Sequence, residues 1–294
     1  MRFARRSNYE GESFARDHRC TLNNADSMVT ILIISCVIAL VMYRFQREVQ
    51  VGYQFAGKKV APVKTWILPV PQLYKNILEK YFPYYQKLSP ANKSRFERKV
   101  CNFLYDKRFI PRNMKEVTID AKVLIAASAV QLTFGLPKIY LQHFDKILVY
   151  PNEYYSSITQ RYHKGEVNPR FGIIVLSWKN FVEGYIRSND SVNLGLHEMA
   201  HALRLENIIR HEEYKFFDDA LVKKFDDYAQ AICRNLENYG NFFRPYACTN
   251  EHEFFSVAIE NFFERSENFK KQIPDLYVIL TRLLGQDPLK LTQG

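Results

Sequence analysis

Leu194-Gly195-Leu196-His197-Glu198-Met199-Ala200-His201-Ala202-Leu203 sets the pattern His-Glu-x-x-His inside an apolar-periodic run. On an α-helix, residues four apart stand one above the other, so His197 and His201 can grip a single metal ion. Glu198 follows the first histidine directly, where a carboxylate reaches a water bound to that metal. Zinc suits such a site: imidazole is a good ligand, and a catalytic zinc keeps one position for a water whose pKa it lowers to about 7. Glu198 is then the general base. The competing reading is a helix with two surface histidines. Leu194, Leu196, Ala200 and Leu203 argue against it, because they make the helix mostly buried, where two histidines and a glutamate need a reason.

Two histidines leave a catalytic zinc one protein ligand short. No His-x-x-Gly-x-x-His extension follows His201, which excludes the metzincin pattern. On the helix expected over Glu251–Arg265, Glu253 and Glu260 lie seven apart on one face, among Phe254, Phe255, Ala258, Ile259 and Phe262. Glu253 is expected as the third ligand and Glu260 as the carboxylate that orients a ligating histidine. His252 competes for the ligand role, but it points about 100° away from Glu253 around the helix.

Working outward, residues 1–27 carry charges of both signs and read as disordered. The run from Met28 through Tyr43 carries no charge. As a helix those residues span about 24 Å, against a bilayer core of about 30 Å. Ser27 and Phe45 lengthen the run, and Arg44 can snorkel toward water. No small-x-small cleavage pattern follows it, which weakens a signal peptide, and the polar flanks weaken a buried core helix. The expectation is one membrane anchor over 28–45. Arg44, Arg47, Lys58, Lys59 and Lys64 follow the run while Asp26 precedes it, so flanking charge puts the C-terminal side in the cytoplasm. Residues 46–70 read as a basic, proline-containing linker, and residues 71–294 as the globular domain.

Within that domain, helical spacing predicts helices over 73–82, Pro90–Tyr105, Asp120–Thr133, Glu213–Asn238 and from Pro274 onward. Asp145–Tyr150 and Phe171–Ser177 are rich in β-branched residues and read as strands, with Pro151–Arg170 as a loop between them. Many helices with a few strands make an α+β, mostly helical domain with a small sheet. Five cysteines with no Cys-x-x-Cys read as reduced thiols. The net charge of +10 suits an anionic lipid surface. The basic residues are spread out and no nucleic-acid-binding signature is present, so nucleic acid is not expected as a partner.

Several stretches together carry a resemblance. They are Val123–Ala127 (VLIAA), Ile147–Pro151 (ILVYP), Val175–Trp178 (VLSW), Asn193–Leu203 (NLGLHEMAHAL) and Glu253–Ala258 (EFFSVA) with Glu260 and Phe262-Phe263, followed by Pro274, Leu276-Tyr277 and Asp287-Pro288. In these the chain resembles the Mlc titration factor A (MtfA) family of zincin-type zinc metallopeptidases, over about residues 70–290. The resemblance implies one zinc per chain, His197, His201 and Glu253 as its ligands, and Glu198 as the base. It also implies Tyr246 as the donor to the oxyanion of the tetrahedral intermediate, and an aminopeptidase-like activity on peptide or protein substrates. The family's best-known member binds the repressor Mlc, which implies as the alternative a regulatory protein whose zinc is mainly structural and whose partner is a transcription factor. The chain departs from the family at Arg204, where an aspartate is usual, and at Glu251-His252, where Asp-Pro often stands. The anchor is a further departure.

Overall fold

Two prolines set the first helices of the domain. Pro71 precedes α1 (Gln72–Tyr81), and Pro83 opens the single turn α2 (Pro83–Gln86). Ser89, in extended backbone, accepts a hydrogen bond from the Asn92 N–H, and Pro90 takes the first position of α3 (Pro90–Asp106), as expected of an N-cap followed by proline. The computed structural model describes residues 69–137, 141–156, 160–187, 190–209, 216–239 and 242–291, with Ile34, Ser35, Val37 and Leu40. The chain divides into two compact units, Met1–Val63 and Lys64–Gly294.

After α3 comes a short strand, β1 (Arg108–Pro111), then α4 (Ile119–Thr133), capped by the Thr118 hydroxyl on the Ala121 N–H, and β2 (Lys146–Tyr150). Next come β3 (Tyr154–Ser156), β4 (Arg161–His163), β5 (Gly165–Asn168) and β6 (Ile173–Ser177). β1, β2 and β6 run parallel and β5 closes the sheet antiparallel to β6, in the order β1-β2-β6-β5, while β3 and β4 form a hairpin of their own. Period-two alternation divides the sheet: Ile147, Val149, Ile174 and Leu176 enter the main core, while Leu148 and Val175 face the other way under Tyr154.

The remaining elements are helical: α5 (Trp178–Ile186), α6 (Leu194–Ile209), α7 (Asp219–Arg234), α8 (Glu251–Glu264), α9 (Ser266–Gln272) and α10 (Pro274–Leu284). Short 3-10 turns cover Leu236–Tyr239 and Pro245–Thr249. α6 packs against α8, α4 and the β5–β6 side of the sheet. The architecture is α+β, mostly helical, with a small sheet.

Several expectations change. The segment 151–170 is not a loop but holds β3, β4 and β5, whose short runs of tyrosine, charge and glycine carry no apolar alternation. β1 is equally short and ends in Pro111, which an edge strand tolerates. The helix expected from Glu213 starts at Asp219, because the Asp218 carboxylate accepts from the Ala220 and Leu221 N–H groups and caps it there. Cys233 and Cys248, read as reduced thiols, are joined by a disulfide with their Cα atoms 5.5 Å apart. The fold lays the end of α7 beside the turn Pro245–Thr249, a proximity that no local cysteine spacing announces.

The expected anchor, 28–45, lies outside the described residues except for Ile34, Ser35, Val37 and Leu40, which are helical. Among the described residues no helix is long and apolar enough to cross a membrane. Residues 1–27 and most of the expected linker 46–70 also lie outside them.

Candidate metal centre

Asn193 starts the central helix. Its side-chain oxygen accepts from the Leu196 N–H at 3.0 Å, an N-cap that fixes where α6 begins. Gly195 lets that first turn sit close to its neighbours, since a Cβ there would meet the Phe181 ring at 2.6 Å and the Ser128 hydroxyl at 2.9 Å. α6 is therefore buried on nearly every side, His197 and Glu198 included. A second asparagine cap sets the facing helix: the Asn250 side chain accepts from the N–H of Glu253 at 3.0 Å.

These two capped helices bring three donor atoms together. His197 Nε2 lies 3.1 Å from His201 Nε2, and Glu253 Oε2 lies 3.1 Å from the first and 3.4 Å from the second. Ligands held tetrahedrally at about 2.0–2.1 Å from zinc sit roughly 3.3–3.4 Å from one another, so the spacing suits that ion. Glu253 Oε2 is buried without a hydrogen bond of its own, and the paired histidine nitrogens face each other rather than separate acceptors. The pocket also favours positive charge. Burial alone disfavours a charged His197, but Glu253 and then Glu260 outweigh it and carry its pKa up to about 10. The donor set fits a metal cation.

Glu260 supports the first histidine. Fully buried, it accepts from His197 Nδ1–H at 2.7 Å, which turns Nε2 toward the convergence point. It also accepts from the Asn193 backbone N–H at 2.7 Å and from both terminal nitrogens of Arg244, at 2.7 and 3.3 Å. No motif marks Arg244; the one signal in the sequence is that a buried carboxylate needs a cation.

Glu198 is buried, and burial raises its pKa above the ordinary carboxylate value. Gly165, at the start of β5, lies directly over it: a Cβ at Gly165 would collide with the Glu198 carboxyl. β5 is an edge strand, so its outer backbone groups run along the rim above Glu198. Tyr246, on the turn Pro245–Thr249, is half exposed with its ring 6.2 Å from the His197 ring. Burial and then the Glu253 carboxylate raise its pKa, so the phenol stays a proton donor. His252 does not join the donor set. Arg204, the departure from the family pattern, pairs with Asp226 at 2.7 Å and Glu251 at 3.7 Å and lies over the Phe255 ring, tying α6 to α7 and α8 one turn beyond His201.

The profile of the family described as glucose-regulated metallo-peptidase M90 matches residues 62–284. The chain belongs to that family and is a metallopeptidase of the Mlc titration factor A kind. Mlc titration factor A of Klebsiella pneumoniae is 26% identical over 230 residues, covering 71% of this chain and 84% of the relative. The Enterobacter protein of the same name is 25% identical over 230 residues, with the same coverage. The uncharacterized protein slr2042 of Synechocystis is 28% identical over 240 residues, covering 75% of this chain and 86% of the relative.

Proposed function

We propose that this chain hydrolyses peptide bonds with one Zn²⁺ held by His197, His201 and Glu253. The observation that carries the reading is the convergence of those three donor atoms beside a buried Glu198 under an edge strand. Bound there, zinc would polarise the scissile carbonyl and make a water nucleophilic near neutral pH. The residues supply the rest. The raised pKa suits Glu198 to take the proton of the attacking water and pass it to the leaving amine. Tyr246, a protonated phenol beside the site, donates to the oxyanion that develops. Glu260 holds His197 in the tautomer that ligates. A peptide aligned on the edge strand β5 by main-chain hydrogen bonds presents its carbonyl to this group.

Glu198→Gln tests the mechanism: zinc content is unchanged and turnover falls on the order of 10²–10⁴-fold, the usual contribution of a general base. Undiminished turnover would sink it. The family resemblance supports an aminopeptidase-like preference, in which case acetylating a substrate's N-terminus abolishes cleavage.

The name Mlc titration factor A, borne by the enterobacterial relatives, favours one second reading, a regulatory protein whose zinc is mainly structural and whose partner is a transcription factor. A Glu198→Gln chain that keeps its whole effect in the cell selects it. For either reading, the uncharged run 28–43 and the exposed side chains of Ile34, Val37 and Leu40 support a membrane anchor. Flanking charge supports a cytoplasmic domain. The oxidation state of Cys233 and Cys248 in cells decides the side, since disulfides persist in oxidising compartments.

A further inference from the structure

Arg244 touches both halves of the site without belonging to either. Its Nη2 donates to Glu260 Oε1 at 2.7 Å, the same oxygen that accepts from His197 Nδ1–H, and its Nη1 reaches Glu260 Oε2 at 3.3 Å. Nη1 also donates to the Ser191 carbonyl, just ahead of the Asn193 cap. The guanidinium lies 5.7 Å from the centroid of the Tyr246 ring, within the range of a cation–π contact. Arg244 itself precedes the turn Pro245–Thr249 that carries Tyr246.

We propose that Arg244 is a positioning residue that sets the metal-ligating face of His197, through Glu260, and the place of Tyr246, through its ring, as one unit. The proposal rests on the peptidase reading above. Glu260 is completely buried, and the Arg244 fork reaches both of its oxygens, so the buried carboxyl has its cation partner in place. Held there, Glu260 accepts from His197 Nδ1–H and leaves Nε2 to the metal. The planar fork engages Glu260 through two nitrogens while its central carbon lies over the Tyr246 ring. Lysine can repeat the charge but not a fork that reaches both oxygens and the ring together.

The test compares wild type, Arg244→Gln and Arg244→Lys for zinc affinity by chelator competition and for kcat and KM on a peptide, with Tyr246→Phe added to each. Arg244→Gln should lower zinc affinity by about 10–100-fold, as loss of a ligand's support does, and Arg244→Lys by less. Arg244→Lys should lower kcat more than it changes KM. That effect should disappear in the Tyr246→Phe background while its effect on zinc remains, because coupled residues are not additive. Should Arg244→Gln fold poorly, Arg244→Gln with Glu260→Gln removes the stranded charge and should recover stability but not zinc affinity. Wild-type zinc affinity in Arg244→Gln, or kcat losses that simply multiply with Tyr246→Phe, would overturn the proposal. A wild type that binds zinc but cleaves no peptide would fail the peptidase reading instead and leave the zinc arm readable.

Discussion

At Gly165 the missing side chain is what makes room for Glu198. A methyl group placed there meets the carboxyl head-on, and that carboxyl is buried, so it must move away from its place beside His197 and His201. Gly165→Ala should therefore keep its zinc and lose turnover, on the order of a hundredfold for a displacement of about 1 Å. Zinc content and kcat on the same preparation check it. A second residue-scale prediction concerns Glu264, at the end of α8, which accepts from the Asn193 side chain at 3.0 Å. Burial first, then the nearby Glu260 and Asp190 charges, push it up to about 8, from an ordinary value near 4.5. The folded state then keeps a proton that the unfolded chain gives up. Stability present at pH 4.5 is lost as pH rises toward 8, by at most about 1.4 kcal/mol per pH unit. In Glu264→Gln the decline of Tm between pH 5 and 8 should flatten, and a melting series across that range shows whether it does. The metal triad was legible at this scale because His197 and His201 follow the helical period and Glu253 sits in a run too apolar for a solvated carboxylate. Arg244 was not: it contacts Glu260 across sixteen positions of chain, and no local period encodes that.

At the scale of elements, two asparagine caps decide where the ligand helices begin, and both follow from residue type and place: Asn193 before α6 and Asn250 before α8. The edge strand β5 is different. Four half-buried residues starting with glycine give no alternation strong enough to read, and the strand is specified by pairing with β6, Gly165 opposite Leu176 and Val167 opposite Ile174. The disulfide joins elements too. It ties the end of α7 to the turn carrying Tyr246, with Cys248 five residues before Glu253, across a separation of 15 residues. Closing a loop of that length stabilises a fold by about 3 kcal/mol in the chain-entropy account. The double variant Cys233→Ser, Cys248→Ser should lose about that much in denaturant unfolding, and an unchanged midpoint would mean the bond contributes nothing in solution. Apolar spacing missed this link because the two cysteines belong to different elements.

For the molecule as a whole, the parts legible from the start were those that repeat with a regular period: the long helices, the two central strands and the α+β class. What the sequence left unread depends on residues meeting from far apart, namely the edge strand, the disulfide and the cation on Glu260. The central claim is that the whole fold serves to bring His197 and His201 on α6 against Glu253 on α8 around one ion. Metal content of the purified full chain, wild type beside Glu253→Ala, tests it most directly. One zinc per chain, lost or weakened by orders of magnitude in a folded Glu253→Ala, is the predicted result. A folded wild type without zinc, or a Glu253→Ala chain that holds zinc as tightly as wild type, would contradict it.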